Sequence, residues 1–155
     1  ALGIHWVPKN DSFKFYLEDN FNDLKATKRN ILSVSSRLFD PLGLLCPIIT
    51  KSKMLLQELW IQKLDWDESI PMRLNTAWEN FKLNLLKIDS IQIPRFVHTN
   101  STANIQIHGF SDASIRAYGC CIYIRSIDSN GVCYRLLTYK SVERRSTQDK
   151  ISSKT

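Results

Sequence analysis

The sequence predicts an α+β fold, with a β-hairpin and a helical module first and an antiparallel β-meander after them. Three observations carry that prediction. Apolar residues alternate near the start, in Leu2-Gly3-Ile4-His5-Trp6-Val7 and again in Phe13-Lys14-Phe15-Tyr16-Leu17. Leu74, Ala77, Trp78, Phe81 and Leu85 recur at i, i+3, i+4, i+7 and i+11, the spacing of a single helix face. Beyond residue 105 the pattern returns to short apolar strands separated by turn residues.

The elements follow in order. Pro8-Lys9-Asn10-Asp11-Ser12 is turn chemistry, so the two opening runs are expected to pair as a hairpin. Thr27 is suited to cap a helix over Lys28–Phe39, with Ile31, Val34 and Leu38 on one face. Asp40-Pro41-Leu42-Gly43 should end it, because a proline disfavours helical geometry in the residue before it. A second helix is expected from near Pro47 to about Leu64, offering Met54, Leu55, Leu59 and Trp60 for packing. Ser69-Ile70-Pro71 opens the third helix, whose regular stripe reads as core. His98 to Asn104 is polar and without period, as a linker is. Ile105–Phe110, Tyr118–Ile124 and Val132–Tyr139 are the three later strands, the last two joined by Ser129-Asn130-Gly131. The stretch from Ser141 to Thr155 is polar and expected to fray.

Composition bounds the function. The 155 residues suit one domain or parts of two, at about 100–200 residues per domain. No apolar run approaches the ~20 residues of a membrane span, and no signal peptide is visible, so a location inside the cell is expected. The start at Ala1, already in a strand pattern, reads as a piece of a longer chain. Cys46, Cys120, Cys121 and Cys133 lack paired metal-ligand spacing, and Cys120 and Cys133 are expected as small core residues. The 21 Lys and Arg against 15 Asp and Glu are compatible with nucleic acid without requiring it.

Asp112, in Phe110-Ser111-Asp112-Ala113-Ser114, is the most pointed chemical feature. A carboxylate at the end of an apolar strand suits a phosphodiesterase in which clustered carboxylates hold two Mg²⁺ ions. One Asp is also what an ordinary turn contains. An aspartic peptidase needs Asp-Thr-Gly or Asp-Ser-Gly so that two carboxylates can share a proton, and that word is absent. Lys25, Lys28, Arg29 and Arg37 around the first helix, with Lys51 and Lys53 on the second, could meet phosphates, or simply face solvent.

The order of words then points to a family. Leu2-Gly3-Ile4-x-Trp6, Thr27-Lys28-Arg29-x-Ile31-Leu32-Ser33, Arg37-Leu38-Phe39-Asp40-Pro41-Leu42-Gly43-Leu44-Leu45-x-Pro47 and Leu55-Leu56-Gln57-Glu58-Leu59-Trp60 come first. Leu64-Asp65-Trp66-Asp67, Ile93-Pro94-Arg95 and His108-Gly109-Phe110-Ser111-Asp112-Ala113-Ser114-x-x-Ala117-Tyr118-Gly119 follow. Over residues 1–140 this resembles the pol polyprotein of Bel/Pao-type LTR retrotransposons, in the region catalogued as the Pao retrotransposon peptidase. The resemblance implies three segments. Residues 1–97 would be the primer grip, thumb and connection of a reverse transcriptase, 98–104 a linker, and 105–155 a truncated RNase H-like domain with an incomplete β-meander. It implies that Gly3, Trp6, Lys28, Arg29 and Arg37 contact a template–primer duplex, RNA–DNA or DNA. Asp112 would match the first of four RNase H carboxylates, binding Mg²⁺ in the intact parent enzyme. The expected partners are that duplex and the missing palm and RNase H portions, with no membrane, in the cytoplasm or a virus-like particle. Glu143 in Lys140-Ser141-Val142-Glu143-Arg144-Arg145-Ser146 lacks the words around the family's second carboxylate, so its role is not transferred. On this reading the fragment is catalytically incompetent and holds no cofactor. The alternatives are an inactive or domesticated remnant acting as a protein-interaction module, or, less favoured, an aspartic peptidase.

Overall fold

A computed structural model describes residues 3–16, 21, 23–97, 104–129 and 131–144. Residues 98–103 of the expected linker 98–104, the hairpin residue Asn130 and the tail beyond 144 lie outside the described residues, while Asn104, expected in the linker, opens a strand. Among the described residues there are three α-helices and two antiparallel three-stranded sheets, which is the α+β class the periodicities predicted. Strands β1 (Gly3–Val7) and β2 (Ser12–Tyr16) form the hairpin, with Trp6 opposite Phe13. Its turn places Asp11 in the left-handed region at φ 46°.

Helix α1 covers Lys28–Ser36, with the Thr27 hydroxyl accepting the Asn30 amide at 3.3 Å. It stops short of the expected Phe39. The Asp40 carboxylate accepts the amides of Leu44 and Leu45 at 2.9 and 2.6 Å, which fixes a turn where the helix would have continued. Helix α2 covers Cys46–Ile61, with Pro47 in its first turn as expected. It ends before Leu64 because Lys63 adopts a left-handed φ of 53°. Helix α3 covers Met72–Leu85 and starts just after Pro71. Strand β3 (Gln92–Pro94) then pairs with Ser12–Lys14, giving the sheet order β1-β2-β3.

The second sheet is a meander of β4 (Asn104–Ala113), β5 (Ala117–Asp128) and β6 (Gly131–Glu143). All three strands outrun their predicted lengths. Ser141–Glu143, expected to fray, completes β6 by pairing with Ala117–Gly119. A bulge at Ile122/Tyr123 leaves Leu137 as the extra residue between Thr138 and Leu136.

The core is one-sided. Every buried apolar residue among the described residues lies between Phe15 and Ile88, with Trp78, Ile31, Val34, Leu59 and Leu74 nearly solvent-free. The stripe predicted as core is mostly that: Leu74, Trp78, Phe81 and Leu85 are buried, while Ala77 is exposed. The later sheet contributes no residue to the core cluster. This corrects the expectation for the cysteines, since Cys120 is exposed and Cys133 only half-buried. An apolar strand buries its small residues only where another layer covers it, and here α2 reaches β6 at one end only.

Candidate nucleic-acid interface and the Asp112 carboxylate

Asp112 stands near the end of β4, opposite Gly119, which is in turn opposite Ser141 on β6. Residues directly opposite across an antiparallel pair share a face, so Asp112 and Ser141 lie on one side of the sheet. Helix α2 comes to that side. The hydroxyls of Thr50 and Ser141 are hydrogen-bonded, and a cavity of about 160 Å³ opens between Thr50, Asp112, Tyr139 and Ser141. Gly119 lies close against this packing. A Cβ there would lie 2.9 Å from the Tyr139 hydroxyl. Burial raises the Tyr139 phenol above its usual value of 10.0, with lesser contributions from Cys46, Cys121, Cys120 and Asp112.

The turn after Asp112 is tightly organised. The Ser114 amide donates to the Ala117 carbonyl at 2.8 Å, and the Ser114 hydroxyl accepts the Arg116 and Ala117 amides. Arg116 leaves this turn to meet Glu58 of α2, whose other carboxylate oxygen takes Arg73 of α3. Glu58, Arg73 and Arg116 lie far apart in sequence, and no local pattern marks them as a cluster.

A two-Mg²⁺ centre holds its ions about 3.5–4 Å apart between several carboxylates. Asp112 brings one, and its Oδ1 accepts the Ala113 amide at 2.8 Å. Glu143 is two strands away and faces Lys53 at 3.8 Å. Among the described residues no three His, Cys, Asp or Glu side chains converge. These residues do not fit a two-metal centre.

The five residues expected to touch duplex fall on two elements, Gly3 and Trp6 on β1, and Lys28, Arg29 and Arg37 on α1 or at its C-terminal end. Gly3 opens β1. Trp6 is exposed, its indole N–H donating to Asp11 at 2.9 Å with the Arg95 guanidinium 5.8 Å from its ring. Arg95 in turn donates to both Asp11 oxygens, at 2.6 and 3.2 Å. Those bonds, then that of Trp6, hold the Asp11 carboxyl below its usual 3.8. Arg29 grips Asp67 with two hydrogen bonds at 2.8 and 2.9 Å, which lowers the Asp67 carboxyl in the same way. Arg37 caps the far end of α1, half-buried and without an ion pair among the described residues.

Lys28 corrects the expectation. It is only 5% exposed, its Nζ donates to the Leu64 carbonyl at 3.2 Å, and it lies 3.5 Å from the Trp60 ring centre. Trp66 closes the cage edge-to-face with Trp60 at 5.4 Å. The Lys28 ammonium is turned into the protein, onto the Leu64 carbonyl and the two indole rings.

An antiparallel meander whose first strand carries Asp112 near its end, joined to a helical unit, agrees with the RNase H-like class that the family match shows. The chain belongs to the Pao retrotransposon-like RNaseH-like domain family, whose model matches residues 27–150. That match spans α1 through β6 and places the chain with the pol region of Bel/Pao-type retrotransposons. No curated protein matches it.

Proposed function

We propose that this chain holds template–primer duplex between a reverse transcriptase and its RNase H, and that it is catalytically incompetent by itself. The observation that supports this best is the seam between α2 and β6. Thr50 meets Ser141, Lys53 meets Glu143 at 3.8 Å, and Gln57 donates to the Arg144 carbonyl at 2.8 Å. Duplex held by the helical module would thereby keep a set position relative to Asp112. Arg37 and Lys51 make no ion pair among the described residues and, with Lys25, whose charge also acts on Asp67, are the cations around α1 and α2 proposed to meet it. The parent polyprotein would supply the polymerase palm, the remaining carboxylates and their Mg²⁺. The absence of an Asp-Ser/Thr-Gly word weighs against the peptidase reading.

A salt titration of RNA–DNA heteroduplex binding by fluorescence anisotropy tests the duplex reading. Three phosphate contacts give a log–log slope near −2.7, so binding should weaken about 40-fold between 50 and 200 mM salt. A flat response overturns it. Asp112→Asn should leave that binding unchanged, and nuclease activity that the substitution abolishes would overturn catalytic incompetence. One observation favours the remnant reading, an interaction module. The outer edge of β4 carries no partner strand among the described residues and exposes Ile105 and Ile107.

A further inference from the structure

Helix α2 and strand β6 run side by side in matched steps. Thr50 meets Ser141, Lys53 meets Glu143, and Gln57 meets the Arg144 carbonyl. Four helical residues rise about 6 Å and two strand residues about 6.6 Å, so such a pairing continues along both elements. One turn before Thr50, on the same helix face, is Cys46, the first residue of α2. Two residues before Ser141, on the same strand face, is Tyr139. The start of α2 is therefore seated at Tyr139. A second contact places it there independently, since a Cβ on Gly43, just ahead of Cys46, would crowd the Tyr139 carbonyl oxygen.

Tyr139 has another thiol beside it. Cys121 lies directly opposite Tyr139 in the ladder between β5 and β6, so both side chains leave the sheet on the face that α2 approaches. Residues opposed in this way hold their Cβ atoms about 4.5–5.5 Å apart. Burial first, and then the Cys46 and Cys121 thiols, raise the Tyr139 phenol, which agrees with both sulfurs lying near that ring. Both cysteines are free and half-buried. The other two are placed differently. Cys120 is exposed and, as the neighbour of Cys121 on a strand, points from the opposite face. Cys133 lies opposite Ser126, beyond the bulge at Ile122/Tyr123.

We propose that Cys46 and Cys121 are a redox pair that closes into a disulfide beside Tyr139, clasping the start of α2 to β5. Contacts between described elements bring the two thiols together, whatever covers the rest of the sheet. The oxidant is a small disulfide such as oxidised glutathione. The thiolate of one cysteine attacks a glutathione sulfur, forming a mixed disulfide and releasing one glutathione thiolate, which takes up a proton. The thiolate of the other cysteine then attacks the protein sulfur of that mixed disulfide and displaces the second glutathione. Two protein thiols are oxidised to one disulfide, and one glutathione disulfide is reduced to two thiols. The clasp does not depend on bound duplex.

The test incubates the full chain, dilute and folded, with oxidised glutathione and maps it by peptide mass spectrometry without reduction. The Cys46 and Cys121 peptides should appear joined, lighter than their sum by two hydrogens. Cys46→Ser and Cys121→Ser should each lose that link and carry glutathione on the cysteine that remains. Cys120→Ser and Cys133→Ser should keep it. Circular dichroism verifies the fold of each variant. Amides around Tyr139 should exchange about tenfold more slowly in the linked chain and recover with dithiothreitol. A folded chain that gains only mixed glutathione disulfides, or that links Cys121 to Cys120 or to a second molecule, overturns the clasp. So does a link that forms only in urea, or one that leaves exchange around Tyr139 unchanged.

Discussion

Gly43 offers the sharpest test of how the helical module meets the later sheet. It sits in the turn that Asp40 organises, with φ +75°, and a Cβ there would lie far inside van der Waals contact distance of the Tyr139 carbonyl oxygen. Gly43→Ala therefore carries two costs. Holding an L-residue in the left-handed region costs about 1–2 kcal/mol. Crowding a backbone carbonyl, which has no rotamer to escape into, adds about 1–3 kcal/mol, as overpacking does elsewhere. The sum, about 2–5 kcal/mol, is a large part of a domain's usual net stability of about 5–15 kcal/mol. Gly43→Asn separates the two terms, since asparagine tolerates left-handed backbone but still carries a Cβ. Urea unfolding followed by circular dichroism should place both variants well below wild type, with Asn above Ala by about 1 kcal/mol. Hydrogen exchange at the β6 amides around Tyr139 should accelerate in both. An Asn variant with the wild-type midpoint would show that only φ matters and that the contact between Gly43 and Tyr139 is loose.

Three other outcomes follow from the site. Asp11 and Asp67 both titrate below their usual 3.8, so the stability they contribute is complete above that pH and is lost as pH falls through their lower folded values. Replacing both by Asn should flatten the acid limb of a urea-midpoint titration below pH 3.8, and an unchanged limb contradicts the assignment. Lys28→Gln should cost about 1–3 kcal/mol in urea unfolding, through the lost carbonyl bond and Trp60 contact, without altering the heteroduplex salt slope. Arg37→Gln should do the reverse, lowering that slope by about one with little loss of stability.

How far the sequence carried the fold depends on the kind of information each element uses. The hairpin, α3 and the meander announce themselves through local period, and each formed where the period lay. Helix ends missed where a single residue decides them, as the left-handed Lys63 does for α2. Strand β3 is only Gln92–Pro94, and it becomes a strand by pairing with residues some eighty positions earlier, which no local pattern encodes. The place of Asp112 near the end of a strand was legible from the apolar run before it. The inward turn of Lys28 was not. Its cage is built by Trp60 and Trp66, more than thirty residues away, and a lysine on a helix defaults to solvent. The cysteine expectation failed for a related reason, since apolarity along a strand does not say whether a second layer will cover it.

Helix α2 accounts for the hardest part to read. Thr50, Lys53 and Gln57 lie at i, i+3 and i+7, one face of the helix, and they meet Ser141, Glu143 and the Arg144 carbonyl in the same order. Ser52, Leu55 and Leu59 occupy the buried side. A polar helix face ordinarily reads as solvated, yet this one contacts a strand. Glu58, between the two faces, joins Arg73 of α3 to Arg116 in the turn that follows Asp112. Asp112 is therefore positioned twice by α2, once through β6 and once through its own turn. Each exposed ion pair in that arrangement contributes little alone, on the order of 0–1 kcal/mol. The packing of Gly43 against Tyr139 and of Tyr139 over Gly119 supplies the steric register that the ion pairs only adjust. This explains why two glycines fall within the words Asp40-Pro41-Leu42-Gly43 and Ala117-Tyr118-Gly119. Each leaves room for the same tyrosine, and through it the helical module and the carboxylate strand share one frame.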